Sequence, residues 1–174
     1  MRLIIEPCLP TDATRVPVGA QWLHEIKHDG YRLLVRRVGD KVRIYTRRGA
    51  DWTQRFPAIV QTALRLRAQS IYLDGEGVVC RDDGVAVFDK LHNRANDEAV
   101  FLYAFDLLEI DGEDLRGMPL EQRKLRLRNL LARRKSGIVS KRRDMAYRSG
   151  RAKSWLKIKN PKSPAMLRVE DGTF

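Results

Sequence analysis

Strand-like segments separated by turn residues are the feature of this sequence that most restricts its fold. Tyr31–Val38 and Val42–Thr46 have strand-like composition, and the Gly39–Asp40 dipeptide between them suits a tight turn. Trp22–His28 has a similar composition and ends at a second turn sequence, Asp29–Gly30. These segments therefore predict a meander of strands.

Helical periodicity occurs in two further stretches. Apolar residues between Phe56 and Leu64 recur at helical spacing, with Thr53 as a cap, and predict a helix that runs to about Ala68. This helix needs a sheet against its apolar face. Pro119 opens the second helix, whose leucines share one side.

The remaining strand predictions complete a mixed fold. Val100–Leu108 is apolar enough for a central strand. Other strands are expected over Ile71–Cys80, Gly84–Phe88, Gly137–Lys141 and Trp155–Lys159. Because strands and helices do not alternate regularly, the sequence predicts an α+β domain with mixed, mainly antiparallel sheets and flanking helices.

The chain has the size and composition of one globular domain, with 174 residues of which 43% are hydrophobic and 32% charged. We expect an extended lead-in over residues 1–20, the domain over 21–162 and a tail over 163–174. No apolar run approaches the roughly 20 residues that cross a bilayer, and the opening lacks a secretion signal. With two distant cysteines and no C-x-x-C pair, we expect a cytoplasmic protein without a membrane partner.

Positive charge is concentrated in the last third of the chain. The formal net charge is +12, and 17 of the 34 Lys and Arg residues lie between Arg116 and Lys162, a stretch with two acids. A solvated basic helix face is one explanation. A nucleic-acid partner is the favoured one, since such residues displace counterions from phosphates. The candidate DNA-binding residues are Arg133, Arg134, Lys135, Lys141, Arg142 and Arg143.

The string HEIKHDGYR has two incompatible interpretations. Read as H-E-x-x-H, it would make His24 and His28 zinc ligands and Glu25 a general base, which requires a helix. Asp29–Gly30 interrupts a helix immediately, and the flanking residues favour a strand. The zinc interpretation is therefore the weaker of the two.

Read as E-x-K-x-D-G-x-R, the same string resembles the signature of covalent nucleotidyltransferases, the superfamily of DNA ligases and RNA capping enzymes. The longer stretch WLHEIKHDGYRLLVRR resembles the ligase module of bacterial end-joining ligases, the ligase D group. Similar segments follow in the family's order: YTRRGADWTQRFP, YLDGEGVV, FLYAFDLLEIDGEDLRGMPLEQRK, GIVSKRRD and SWLKIKN. The resemblance rests on the ordered set, which extends from Trp22 to Pro161.

The resemblance implies an ATP-grasp-like nucleotidyltransferase core that uses ATP and Mg²⁺. In the family's reaction, a lysine at the position of Lys27 attacks ATP and becomes attached to AMP. AMP then passes to the 5′-phosphate of a nicked or broken DNA duplex, and the ends are sealed, a reaction of DNA repair and recombination. RNA ligases and capping-type enzymes share the lysine signature, but the later segments are more similar to the ligase D group.

The resemblance also assigns roles around the nucleotide. Arg47 would contact the ribose, Glu76 would meet the ribose and help hold the metal, and Phe105 would stack on adenine. Glu25 would lie in the strand that lines the adenine. The other nucleotide-binding residues would be Arg32, Lys157 and Lys159.

The chemistry of the reaction agrees with these residue types. Attack on the α-phosphate requires an unprotonated amine, whereas a free lysine is almost fully protonated at neutral pH. Nearby cations favour the neutral amine and stabilise negative charge on the phosphate. Lys157 and Lys159 are two residues apart in a strand-like segment, so both point to one face. Considered alone, this pair would indicate an edge strand with a solvated face.

Departures from the family pattern bear on activity. Ser136 occupies the position of a glutamate that assists the metal, and a neutral hydroxyl is a poor ligand for Mg²⁺. The helix that Pro119 opens runs almost directly into GIVSKR, so a piece of the family's fold is expected to be missing. The sequence ends at Phe174 without the OB-fold domain of such ligases, which makes a separate OB-fold or end-joining protein an expected partner. A catalytically impaired nucleotide- and DNA-binding remnant is the alternative to an active ligase.

Overall fold

The computed structural model describes residues 5–25, 27–80, 86–92, 94, 96–131, 140–142, 144–147 and 149–157, with the backbone alone for 140–142 and 152–157. Strands and helices in this part of the chain are numbered in chain order. The strands are β1 (Cys8–Asp12), β2 (Trp22–Leu23), β3 (Tyr31–Val38), β4 (Lys41–Thr46), β5 (Ser70–Val78), β6 (Phe101–Ile110), β7 (Glu113–Asp114), β8 (Ser140–Arg142) and β9 (Gly150–Lys157). The helices are α1 (Pro57–Leu64), α2 (Phe88–His92) and α3 (Leu120–Leu131).

Five strands form an antiparallel sheet in the order β4-β3-β5-β6-β7. The turn between β3 and β4 contains Gly39 at a positive φ of 56°, a conformation that glycine adopts without steric cost. In the register of β3 and β5, Arg32 lies opposite Glu76 and Leu34 lies opposite Asp74. This pairing brings the segments YLDGEGVV and HEIKHDGYR to neighbouring strands.

Four strands form a second sheet in the order β1-β9-β8-β2. β1 lies within the stretch that we expected to be a lead-in, and it pairs in parallel with β9, where Cys8 lies opposite Gly150. β8 pairs antiparallel with both β2 and β9. The second sheet therefore joins residues from opposite ends of the described chain.

Two apolar clusters cover the two faces of the five-stranded sheet. Alternate residues of a strand point to opposite faces, so Leu33 and Val35 enter the larger cluster while Leu34 enters the smaller one. α1 contributes Ile59 and Ala63 to the larger cluster, and α3 contributes Leu127. The smaller cluster consists of Ile5, Cys8, Leu34, Tyr45, Tyr72, Leu108 and Tyr147, with Phe105 packed against it.

The structure confirms the α+β class and most of the predicted elements, with differences at their ends. The strand predicted over Trp22–His28 is wrong beyond Leu23, because the chain leaves the sheet there. The helix predicted to reach Ala68 ends at Leu64, and Phe88, predicted to end a strand, begins α2. Residues 84–85, 137–139 and 158–159, which belong to three other strand predictions, lie outside the described residues.

None of the helices that the structure describes is long and apolar enough to span a bilayer.

Candidate nucleotide-binding site

Lys27 lies on the loop that connects β2 to β3. Its side chain is 47% exposed, and its Nζ is 3.8 Å from Oδ1 of Asp29. The loop approaches β5 closely, since a Cβ placed on Gly30 would lie 2.3 Å from the carbonyl oxygen of Gly77. The glycine of the K-x-D-G string is therefore required for close packing, and the lysine lies exposed shortly before β3 begins.

Arg32 and Asp74 form a two-pronged ion pair across β3 and β5. Nε of Arg32 donates to Oδ1 of Asp74 at 2.5 Å, and Nη2 donates to Oδ2 at 2.6 Å. Asp74 is fully buried, and Nη2 also donates to the carbonyl of Cys8 at 3.1 Å. Burial alone would lower the pKa of Arg32, but the charge of Asp74 raises it above its usual value. The guanidinium of Arg32 is therefore a fixed cation, already balanced by one carboxylate.

Tyr147 connects this ion pair to the second sheet. Its hydroxyl donates to Oδ2 of Asp74 at 2.8 Å and accepts the backbone N–H of Cys8 at 2.7 Å. Burial, followed by the charge of Asp74, raises the pKa of Tyr147, so the hydroxyl stays protonated. Sequence analysis assigned no role to Tyr147 or Asp74. The D-G-E string contained Asp74, but no local pattern pairs it with a tyrosine 73 residues away.

Phe105 lies beside Arg32 because β6 contains a bulge. The pairing of β5 with β6 shifts between Asp74, which faces Asp106, and Gly75, which faces Ala104, so Phe105 is the extra residue. Its ring packs against the smaller apolar cluster, and Cζ of Arg32 is 4.5 Å from the ring centroid. The structure thus brings together the aromatic ring and the arginine that were predicted to bind the nucleotide.

Glu76 is half-buried and lies opposite Arg32 on β5. Burial raises the pKa of Glu76 to about 7, with Asp74 and Asp29 adding to the rise and with Arg32 and Lys27 opposing it. At neutral pH this carboxyl is therefore close to half ionised. Because the charge of Lys27 lowers the pKa of Glu76, the two side chains interact electrostatically.

Glu25 and Arg47 are placed differently from the other predicted residues. Glu25 follows β2 without lying in a strand, and its carboxylate forms a close ion pair with Lys124 of α3. The expected strand position of Glu25 is therefore wrong, since the chain has already left the sheet. Arg47 is exposed directly after β4.

Several predicted residues are described only in part or not at all. Lys157 ends β9 and Lys141 and Arg142 lie in β8, each with a described backbone alone. The others lie outside the described residues: Arg133, Arg134, Lys135, Ser136, Arg143 and Lys159.

The two histidines of the H-E-x-x-H string do not share a helix face. The described residues around them form no helix, and the ring of His28 stacks on Tyr103 with centroids 3.9 Å apart and planes 5° apart. Within the described residues, no group of three or more His, Cys, Asp and Glu side chains is placed to hold a metal ion. The geometry agrees with the nucleotidyltransferase interpretation and not with a zinc site.

A second buried ion pair supports the strand that carries Phe105. Arg123 of α3 donates from Nε to Oδ1 of Asp106 at 2.9 Å and from Nη2 to Oδ2 at 3.0 Å, and both side chains are fully buried. Nη1 of Arg123 also donates to the carbonyl of Met118 at 2.5 Å. α3 is thereby fixed to β6 directly beside the bulge.

Comparison with solved structures gives the same fold. The crystal structure of the ligase domain from M. tuberculosis LigD matches with a TM-score of 0.77 and 32% sequence identity, over 88% of this chain and 60% of that one. A mycobacterial DNA ligase D complexed with ATP and MES matches with a TM-score of 0.78 and 33% identity, over 90% and 60%.

Sequence comparison gives relatives of the same kind. The chain is 35% identical over 172 residues to the multifunctional non-homologous end joining protein LigD of Pseudomonas aeruginosa. The alignment covers 82% of this chain and 20% of the relative. The alignment is 172 positions long but includes only 82% of the 174 residues of this chain. The remaining positions are residues of the relative without a counterpart in this chain, as expected for a shortened domain. The chain thus spans about a fifth of that relative's length. The model of the ATP dependent DNA ligase domain matches residues 11–136, and the chain belongs to that family.

Proposed function

We propose that this chain is the nucleotide-binding catalytic part of an ATP-dependent DNA ligase and that Lys27 carries AMP. One observation supports this most strongly. The accessible Lys27 and the partly buried Arg32 both act on the charge of Glu76, and Arg32 lies beside the ring of Phe105. A nucleophile, a phosphate-stabilising cation, a carboxylate and an aromatic ring for the base are the groups that adenylation requires.

In the proposed reaction, Nζ of Lys27 loses a proton and attacks the α-phosphorus of ATP. A P–N bond forms as the bond to the β-phosphate oxygen breaks, and pyrophosphate leaves. A 5′-phosphate oxygen of DNA then displaces the lysine, and the 3′-hydroxyl of the adjoining strand finally displaces AMP. Asp74, itself bound by Tyr147, positions Arg32 before substrate arrives. Arg32 therefore needs little reorganisation when negative charge develops on the phosphate.

Glu76 is the residue that would help to hold Mg²⁺. Asp74 is already bound to Arg32 and Tyr147. Glu76 has a pKa near neutrality, and a nearby cation would stabilise its ionised form. One or two carboxylates with substrate phosphates and water are sufficient for this ion, so the residues fit. When bound, Mg²⁺ supplies neutralisation of phosphate charge.

The proposed substrate is a nicked or broken DNA duplex, and the proposed setting is DNA repair in the nucleoid-associated cytoplasm. The two solved relatives are the ligase domain of a LigD and a DNA ligase D, and this chain covers 60% of each. We infer that residues 21–162, together with β1, form the adenylation domain and that clamping of DNA comes from an OB fold or an end-joining protein outside these residues. Without that clamp we expect this chain alone to seal nicks very poorly.

Ser136 favours a second candidate, a remnant that binds nucleotide and DNA without turnover. A neutral hydroxyl at a position that supports the metal would slow adenylation by about a hundredfold to a thousandfold. Replacement Ser136→Glu separates the candidates. An increase in AMP attachment would favour an impaired ligase, and no AMP attachment in either form would favour the remnant.

The test of the proposed function is the intact mass of the purified chain after incubation with ATP and Mg²⁺. We expect a rise by one AMP, which peptide mapping assigns to Lys27. Lys27→Arg keeps the charge but should carry no adduct, and Lys90→Ala, an exposed lysine on α2, should react like the wild type. An adduct that persists in Lys27→Arg would remove the assignment.

A further inference from the structure

Three aromatic rings form a continuous ladder next to the nucleophile. His28 stacks on Tyr103 with a centroid distance of 3.9 Å, and Phe101 meets Tyr103 edge to face at 5.1 Å. Both geometries are favourable for aromatic pairs. The set of His28, Tyr103 and Phe101 is called the aromatic ladder below.

The aromatic ladder lies on the same face of the sheet as the nucleotide site. In the register of β5 and β6, Tyr103 lies opposite Glu76 and Phe101 lies opposite Val78. Directly opposed residues share a face, as do residues two apart in one strand. His28 directly follows Lys27, so the ladder extends from the nucleophile to the beginning of β6.

The outer end of the ladder is open to solvent. Phe101 is 40% exposed and is the one aromatic residue among the large exposed apolar residues that the structure describes. Burial, assisted by the charge of Lys27, lowers the pKa of His28, so its ring is neutral at physiological pH. The ladder is therefore an uncharged aromatic surface beside an exposed lysine, on a chain with a net charge of +12.

This combination fits the end of a DNA strand. Single-stranded nucleic acids bind where cations contact phosphates and aromatic rings stack on bases. We propose that the aromatic ladder is a stacking platform for the terminal nucleotide of the strand whose 5′-phosphate reaches Lys27. The inference rests on the proposed function in taking DNA as the substrate and Lys27 as the residue that its 5′-phosphate approaches.

The test uses the full chain and a nicked duplex in which 2-aminopurine bears the 5′-phosphate at the nick. Wild type and Phe101→Trp should change the fluorescence of the 2-aminopurine on binding. Phe101→Leu, which stays apolar but cannot stack, should lose most of that change and bind about 5- to 100-fold more weakly. Leu125→Ala removes another exposed apolar side chain, on α3, and should behave like the wild type.

Formation of lysyl-AMP is measured on the same variants, so the two proposals fail separately. If wild type carries no AMP but Phe101→Leu still loses the fluorescence change, the platform stands and the ligase function falls. If Phe101→Leu binds the duplex within twofold of wild type, or if Leu125→Ala loses as much affinity, the platform is excluded. A raised KM for ATP in Phe101→Leu with unchanged DNA binding would also exclude it, since the ladder would then serve the nucleotide.

Discussion

Two arginine–aspartate pairs lie side by side in this protein and have different surroundings. Asp74 and Asp106 are register partners on β5 and β6, and each accepts two hydrogen bonds from its own arginine. Arg32 is 15% exposed and faces the ring of Phe105, whereas Arg123 is fully buried and is also bound to a backbone carbonyl. The same chemistry thus supports the site in one pair and the architecture in the other.

Because Asp74 and Asp106 lie opposite each other, each of the two carboxylates needs a cation of its own. Like charges directly opposite each other on neighbouring strands destabilise a sheet. Tyr147 lies between the two pairs, with its hydroxyl on Asp74 and with Cζ of Arg123 5.8 Å from its ring centroid. Loss of either arginine would therefore affect a shared structure, but only the loss of Arg32 removes a cation from the site.

The largest effect on stability is expected for Arg123→Ala. It leaves Asp106 as a buried charge without its cation, which costs about 3–5 kcal/mol of unfolding free energy. Urea denaturation measures this. Arg126→Ala is the matched control, because Arg126 and Glu113 form a surface pair with exposures of 46% and 45%, worth about 0–1 kcal/mol. Equal losses in both variants would mean that the buried pair is not special.

Arg32→Lys should affect the reaction more than the fold. A lysine keeps the charge next to Asp74 but cannot reproduce the two-pronged geometry or the contact with Phe105. We expect lysyl-AMP formation to slow by about a hundredfold to a thousandfold. Arg123→Lys is the comparison, and a similar loss of rate in that variant at unchanged stability would contradict the division of roles.

A smaller effect is expected for Tyr147→Phe. The ring remains, but Asp74 loses a donor and the backbone N–H of Cys8 loses its acceptor. Leaving such buried groups unsatisfied costs about 1–3 kcal/mol, measured by urea denaturation. Tyr45→Phe removes a hydroxyl from the same apolar cluster and provides a control. A loss below that of the control would show that the hydroxyl bridge contributes nothing.

The smallest effect is the pH dependence due to Glu76. Its pKa is about 7 in the folded chain against 4.5 for the ordinary side chain, so the folded state holds the proton more tightly. The resulting stability is present below pH 4.5 and is lost as pH rises through 7. Without ATP or metal, wild type should therefore lose about 1 kcal/mol relative to Glu76→Gln between pH 5 and pH 8, since solvent screens much of this half-buried charge.

Glu98→Gln, an exposed carboxylate, provides the control for that pH series. Parallel pH profiles for wild type and Glu76→Gln would contradict the raised pKa.

In the presence of ATP and Mg²⁺, AMP attachment by wild type should increase between pH 6 and pH 8, because the ionised carboxylate is the form that binds a cation.

The parts of the fold that local chemistry determines could be predicted from the sequence. β3 has the bounds that its composition predicted, and β4 differs by one residue. A strand was predicted as far as His28, because apolar and aromatic residues there favour a strand. In the structure the strand ends at Leu23, and Gly30 packs closely against β5. Local patterns did not contain that tertiary contact.

For the candidate site, the sequence indicated individual residues but not the contacts between them. The ordered motifs indicated Lys27, Arg32, Glu76 and Phe105, and the structure brings Arg32 to Phe105. The bulge that turns Phe105 toward Arg32 is a feature of pairing between strands and leaves no signal in β6 alone. The hydrogen bonds of Asp74 could likewise not be predicted from local patterns, since Arg32 is 42 residues away from it in the sequence.

The parallel pairing of β1 with β9 has a consequence for biosynthesis. Cys8 and Tyr147 are 139 residues apart, and a chain emerges from the ribosome with its N-terminal residues first. β1 therefore waits for its partner until nearly all of the described chain has been made, and closing so long a loop is slow. The five-stranded sheet ends at residue 114 and can pair much earlier. A nascent chain that stops short of Tyr147 would then have a formed five-stranded sheet in which Asp74 lacks the hydroxyl of Tyr147, so the support of Arg32 is completed last.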